Sequence, residues 1–342
     1  MPATQLADLE ILRARLCADR DPLDGAGYAT PGPDAAALIA TMLPDGSWPD
    51  VRYADDDLKD WAAAVHLSRL RQLARAWYPD KADAALHAAL LRGLDGWYAR
   101  DPQNPNWWWN QIGAPLLLGE TLLCLKETCD RSAIDRAVPA FTCHQPITRF
   151  TGQNLVWTAT VQLYHGILTD DPDRVAQAFV LIGKEVRVLP GEEGIQPDMS
   201  FHQHGNLLYA GGYGQGFVAD VGRLIAIAAG TAYAWPALLV DRFARYVLDG
   251  CRWMVRGRTF DPGAVGREIT RPGHSAARFY GGLRALAGCA HARQAEARAS
   301  AARDPAAGGS LVTGNRHFWC SDLMTQHRPA YYLSVRVPSP RV

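Results

Sequence analysis

The stretch "TGQNLVWTATVQLYHGIL", residues 151–168, reads as a single apolar helix entered through a Thr-Gly pair, and its neighbours repeat the pattern. On the N-terminal side, "ADLEILRARL" (7–16) and "DLKDWAAAVHLSRLRQLARAW" (57–77) space apolar residues by three and four with arginines between them, as helices covering one face do. "DAALHAALLRGLDGWYAR" (83–100) and "IGAPLLLGETLLCLKE" (112–127) follow. On the C-terminal side come "DPDRVAQAFVLIGKEVRVL" (171–189), "GFVADVGRLIAIAA" (216–229), "WPALLVDRFARYVLDGCRWMV" (235–255) and "SAARFYGGLRALAGCA" (275–290). Some are amphipathic and others apolar almost all round, which suits the outer and inner helices of a two-layer helical assembly. Short breakers such as "YPDK", "RDPQNPN", "TDDPD" and "LPGEEGIQPD" separate them. After "AARDPAAGGS" the pattern changes: "RHFWCSDLMTQHRPAYYLSVRVPSPRV" alternates aromatic and β-branched residues and reads as strands, as though a β domain had just begun.

Composition narrows the function. With 342 residues, 48% of them hydrophobic, the chain can bury a large core, and its formal net charge of zero points to neither nucleic acid nor an anionic membrane. No apolar run reaches the roughly 18 residues that a membrane span needs, and the start "MPATQLADLEILRARLCADRDP" lacks the features of a signal peptide. The seven cysteines, Cys17, Cys124, Cys129, Cys143, Cys251, Cys289 and Cys320, are odd in number and lack CxxC spacing, so neither a disulfide framework nor a zinc site is expected.

Chemistry-bearing residues gather in the interruptions. "NPNWWWN" (104–110) sets three tryptophans at a loop-to-helix junction. Adjacent helical residues point in different directions, so the three cannot share one core face. Either they are partly core, or they form a stacking platform for sugar rings with asparagines beside it. "GIQPDMSFHQHGNLLYAGGYGQG" (194–216) places His202 and His204 one residue apart and Tyr213 between glycines, which allow a ligand close to the phenol. The His-x-His pair lacks a third ligand at convincing spacing, so no metal is expected. Asn154 reads first as a helix cap. "RGRTFDPGAVGREITRPG" (256–273) gathers Arg256, Arg258, Arg267 and Arg271 in a loop-like segment that is either a solvated basic loop or a carboxylate clamp.

An amide, an imidazole, a phenol, guanidiniums and an aromatic platform do not supply the evident carboxylate pair of most glycoside hydrolases. They suit proton abstraction beside a carboxylate: hydrogen bonds neutralise a uronate, a base removes its C5 proton and an acid protonates the departing 4-linked oxygen. A hydrolase would draw its acids from Asp55, Asp56, Asp57, Glu192, Glu193 or Asp198, which look like helix-entry and turn residues. A carbohydrate-binding module without catalysis is the other alternative.

These motifs resemble polysaccharide lyase family 8, the hyaluronate, chondroitin AC and xanthan lyases. The resemblance rests on "NWWWNQIGAP", "TGQNLVW", "GIQPDMSFHQHGNLLYAGGYG", "GREITR" and "FWCSDLMTQHRPAYYLSVRV". Their spacing follows the family: 50 residues from Asn154 to His204, nine from His204 to Tyr213 and 63 from His204 to Arg267. The resemblance implies a mainly α fold, an incomplete α/α toroid of helical hairpins over 1–308, with 309–342 as the first strands of an antiparallel β domain. It also implies β-elimination on a uronic acid polysaccharide, with no cofactor or metal and no nucleic-acid or membrane partner, by an enzyme of a usually exported kind. Asn154 would neutralise the carboxylate, His204 and Tyr213 would share the proton transfers, and Arg267, with Arg271 close by, would support Tyr213. Asn106, Trp107 and Trp108 would guide the chain, and His202 and Arg258 are counted with the substrate-binding residues. Trp109 and Asn110 depart from the usual continuation of that motif.

Overall fold

A computed structural model describes residues 3–19, 34–142, 147–271, 273–303, 305–337 and 339. Cys143 lies outside them, and the other six cysteines are free thiols. Twelve α-helices dominate the described residues: α1 Ala3–Ala18, α2 Ala35–Thr41, α3 Ala64–Trp77, α4 Ala84–Arg100, α5 Ala114–Leu125, α6 Arg131–Phe141, α7 Gly152–Leu168, α8 Pro172–Glu185, α9 Gln215–Ala228, α10 Ala237–Asp249, α11 Ala277–Gly288 and α12 Gln294–Ala301. None is long and apolar enough to cross a membrane. The fold is mainly α with short strands towards the C-terminus, as the apolar periodicity predicts.

The chain divides into two compact units, Met1–Ile147 with Trp157–Ala178, and Thr148–Val156 with Phe179–Val342, so α7 and α8 each contribute to both. In the first unit α5 is the inner helix: every residue from Pro115 to Leu125 is buried, as its nearly continuous apolar sequence requires. Each fully buried leucine there, such as Leu122 and Leu125, contributes about 1.5–3 kcal/mol of hydrophobic stabilisation. The buried Glu120 carboxylate on the same helix is matched by the Arg75 guanidinium at 2.7 Å, which offsets its desolvation.

In the second unit α9 and α11 pack together, with Gly222 and Gly282 in close approach, and Val218, Val221 and Leu224 of one helix and Phe279, Leu283 and Leu286 of the other are all fully buried. Two short hairpins interrupt the helices, β1 Gly194–Ile195 with β2 Phe201–His202 and β3 Val255–Arg256 with β4 Thr259–Phe260. The arginine-rich segment expected to be loop-like therefore contains a hairpin, followed by 3-10 turns at Pro262–Ala264 and Gly266–Thr270. A three-stranded antiparallel meander closes the described chain, β5 Gly314–Phe318, β6 Leu323–His327 and β7 Tyr332–Arg336. Its alternation is visible on β6, where Leu323, Thr325 and His327 are buried while Met324 is exposed.

Candidate active site

The second unit collects most of the expected residues. Beyond β2 the backbone enters the left-handed region at His204 (φ 60°) and Gly205 (φ 78°). For a non-glycine residue that conformation is uncommon and carries strain, and here it turns the His204 side chain out to an exposed position. The chain then returns through Tyr209 to a single π-helical turn, Ala210–Gly214, which leads into α9 and carries Tyr213. Such turns recur at functional sites because the extra residue displaces a side chain from its helical position.

Tyr213 is the centre of a cluster. Arg267 donates from Nη2 to the Tyr213 hydroxyl at 3.1 Å. The His204 ring stands edge-on to Tyr213 at 5.0 Å between centroids and 89° between planes. Tyr209, fully buried, meets Tyr213 edge-on at 5.0 Å and His204 at 6.1 Å. Its hydroxyl donates to Glu268 Oε1 at 3.4 Å, and Glu268 pairs with Arg271 at 2.9 Å. Gly212 and Gly266 press against this ring: a Cβ on Gly266 (φ 55°) would lie 2.7 Å from its carbons, and one on Gly212 would lie 2.2 Å away.

Electrostatics set complementary proton affinities. Burial pushes the Tyr213 phenol above its ordinary value, with the Arg267 charge pulling partly back, so it is a protonated donor near neutral pH. Partial burial and then the Arg267 charge push the His204 imidazole below its ordinary value, so it is a neutral acceptor. Burial, followed by the Glu268 charge, pushes Tyr209 up to about 12. Tyr209 is thus a fixed support whose proton stays in place.

Asn154 lies in the first turn of α7, two residues beyond its start at Gly152, so the cap reading gives way. The N–H groups that open the helix are met by other side chains: Gly152 N donates to Glu185 Oε2 at 2.5 Å and Gln153 N to Gln203 Oε1 at 3.0 Å. Helix starts need such acceptors, and supplying them from elsewhere removes the capping task from Asn154.

The two further expected substrate contacts, His202 and Arg258, differ in exposure. His202 is not at the surface: it is 2% exposed, buried together with Phe201 and Gln203 on either side, and its Nε2 pairs with Ser321 Oγ at 2.8 Å. Arg258 is exposed in the turn between β3 and β4, and its carbonyl accepts from Ala276 N. Arg256 bonds Ser310 Oγ at 2.7 Å and two carbonyls, which makes it structural.

In the first unit the three tryptophans diverge as their adjacency demands. Trp107 is 43% exposed, Trp109 is buried, and Trp108 sits between them, edge-on to Trp109 and Trp157. Asn106 shapes the junction, donating from Nδ2 to the Leu58 carbonyl and accepting from Trp108 N. Asn110 bonds Asn104 in both directions, so this departure serves the turn itself.

Four of the six candidate hydrolase acids serve local structure. Asp55 accepts from Ala62 N, Asp57 from the Lys59 and Asp60 amides, and fully buried Asp198 from Ser200 and Cys320. Glu193 accepts from Thr151, Gln203 and Gly205. Among the described residues no group of three His, Cys, Asp or Glu side chains is arranged to hold a metal ion. Tyr209, Glu268, Glu193 and Gln203 were not singled out for this chemistry by sequence, since a buried tyrosine and a turn carboxylate carry no local signature.

Comparison with known proteins agrees with the family that the motifs resemble. Residues 32–302 match the family described as polysaccharide lyase family 8, N terminal alpha-helical domain. A chondroitinase-AC of Pedobacter heparinus is 29% identical over 314 residues, covering 89% of this chain and 45% of that protein. A hyaluronate lyase of Enterococcus faecalis is 28% identical over 215 residues, covering 55% of this chain and 21% of the relative. A chondroitinase AC lyase whose structure was solved in oligosaccharide complexes superposes with a TM-score of 0.87 at 26% identity, over 99% of this chain and 51% of that one. The chain thus spans about half the length of its chondroitinase relatives.

Proposed function

Because the chain belongs to polysaccharide lyase family 8, through that family's N-terminal alpha-helical domain, we propose that it cleaves a uronic acid polysaccharide by β-elimination. The substrate class is an anionic glycosaminoglycan of chondroitin or hyaluronan type. The observation that carries this reading is the Arg267–Tyr213 hydrogen bond with the His204 ring edge-on to the same phenol. It sets a donor and an acceptor of opposite proton affinity side by side.

In this mechanism Asn154 hydrogen-bonds the uronate carboxylate and lowers the cost of negative charge developing beside C5. His204, neutral, takes the C5 proton. As the C5–H bond breaks, its electron pair forms C4=C5, the C4–O bond breaks, and the Tyr213 hydroxyl protonates the departing oxygen. Arg267 orients the phenol, and Arg271, held by Glu268, adds positive charge for the anionic polymer. The products are a new reducing-side chain end and a 4,5-unsaturated uronate.

Asn106, Trp107 and Trp108 serve as a polar and aromatic patch for sugar rings. Residues 1–308 act as the helical catalytic domain and 309–342 as the opening strands of an antiparallel β domain. A polymeric substrate does not enter cells intact, which assigns the work to the periplasm or the exterior. Incubating the chain with chondroitin, hyaluronan, xanthan and glucuronan-type polymers while following ultraviolet absorbance tests the reading. Appearance of the conjugated double bond supports it and ranks the substrates. Cleavage to saturated ends would replace it with hydrolysis, and binding without cleavage would leave a carbohydrate-binding module.

A further inference from the structure

We propose that Glu193 and Gln203 form a positioning clamp that fixes the turn carrying His204 to the helix start carrying Asn154. This inference rests on the lyase reading for its functional meaning, but its structural content stands on a run of bonds within the second unit. Glu193 Oε1 accepts from Gly205 N at 2.8 Å, immediately after His204. Its Oε2 accepts from Thr151 Oγ1 at 2.6 Å, just ahead of α7, and from the Gln203 side-chain amide. Gln203, immediately before His204, then accepts from Gln153 N at 3.0 Å, immediately before Asn154. Asn154 and His204 are therefore each flanked by a residue in one continuous network.

The need for such a clamp follows from the local backbone. His204 and Gly205 both hold left-handed angles, a conformation that an imidazole-bearing residue keeps only when its surroundings enforce it. A carboxyl group accepting from three donors is a strong local constraint. Gln203 is 1% exposed, so its amide neither contacts a polymer nor exchanges readily with water. Its carbonyl meets a helix N–H and its amino group meets the carboxylate, an orientation that the two partners dictate. Glu193 and Gln203 are thus positioning residues acting through Asn154 and His204.

An exchange of the two side chains tests the clamp. Glu193→Gln and Gln203→Glu each leave one bond of the network mismatched, whereas the double variant restores an amide facing a carboxylate with unchanged total charge. Amide hydrogen exchange and kcat are followed in the full chain, with circular dichroism confirming the fold. In the wild type the Gly205 and Gln153 amides exchange slowly. In Glu193→Gln both quicken, although residue 193 does not bond Gln153, and kcat falls roughly 10- to 100-fold with little change in KM. The double variant recovers most of both losses. An unchanged Gln153 amide in Glu193→Gln, or a double variant no better than the single ones, would overturn the proposal. The exchange measurement needs no turnover, so a wild type that yields no unsaturated product counts against the lyase reading alone. Full turnover by Glu193→Gln would remove the clamp and leave that reading standing.

Discussion

Arg267 Nη2 lies 3.1 Å from the Tyr213 hydroxyl, and the same guanidinium charge lowers the proton affinity of both Tyr213 and His204. One cation thereby tunes the proposed acid and the proposed base together. With His204 required neutral and Tyr213 required protonated, the pH–rate profile is a bell bounded below by the imidazole and above by the phenol.

Removing the charge moves that bell in a definite direction. A nearby cation favours the deprotonated phenol and disfavours the imidazolium, so Arg267→Ala raises both values. The expected result is a shift of both limbs of kcat/KM to higher pH, with a lower maximum. A fixed acid limb would separate His204 from the reaction, and a rate that keeps climbing at alkaline pH would make Tyr213 the base.

Tyr209 supports the reacting ring from behind. Tyr209→Phe preserves the edge contacts with His204 and Tyr213 but removes the hydroxyl that donates to Glu268. The expected loss is about tenfold in kcat, the equivalent of one charged hydrogen bond at its weaker end, with an unchanged circular dichroism spectrum. Kinetics identical to wild type would show that the ring alone suffices.

Gly266 is constrained by conformation and by space. Its φ of 55° and the 2.7 Å approach of a would-be Cβ to Tyr209 mean that Gly266→Ala must displace the ring or the turn. Strain of about 1–3 kcal/mol is expected in urea unfolding, together with reduced turnover because Arg267 is the next residue. A variant with wild-type stability and rate would show that the turn relaxes freely.

His66, in the first unit, gives the fold a dependence on pH. Its Nε2 meets the Gly93 carbonyl and its Nδ1 the Tyr53 hydroxyl, both at 2.8 Å, and burial pushes its pKa down to about 4. The unfolded imidazole binds a proton first, so this contribution is complete above roughly pH 6.5 and declines as the pH falls towards the folded value. A loss of about 2 kcal/mol by about pH 5 is expected from this group. A His66→Gln variant should show a flatter decline in urea titrations at the two pH values.

Sequence periodicity located the helices well. "DAALHAALLRGLDGWYAR" becomes Ala84–Arg100 and "TGQNLVWTATVQLYHGIL" becomes Gly152–Leu168, because their apolar residues have a large core to enter. "YYLSVRV" forms the strand Tyr332–Arg336 for the corresponding period-two reason. The glycine-rich "AGGYG" forms a π-helical turn continuous with α9, a shape for which apolar periodicity carries no signal. Motif spacing brought His204, Tyr213 and Arg267 into one list, and the structure brings their side chains together. It did not distinguish inward His202 from outward His204, or reveal the long-range bonds that relieve Asn154 of capping.

The most direct measurement compares Tyr213→Phe with the wild type by the rate at which unsaturated uronate absorbance appears on the preferred polymer. Loss of about 100-fold or more in kcat, with polymer binding and thermal unfolding retained, is the predicted result. A Tyr213→Phe protein that still eliminates at close to the wild-type rate would contradict the assignment of Tyr213 to the reacting centre.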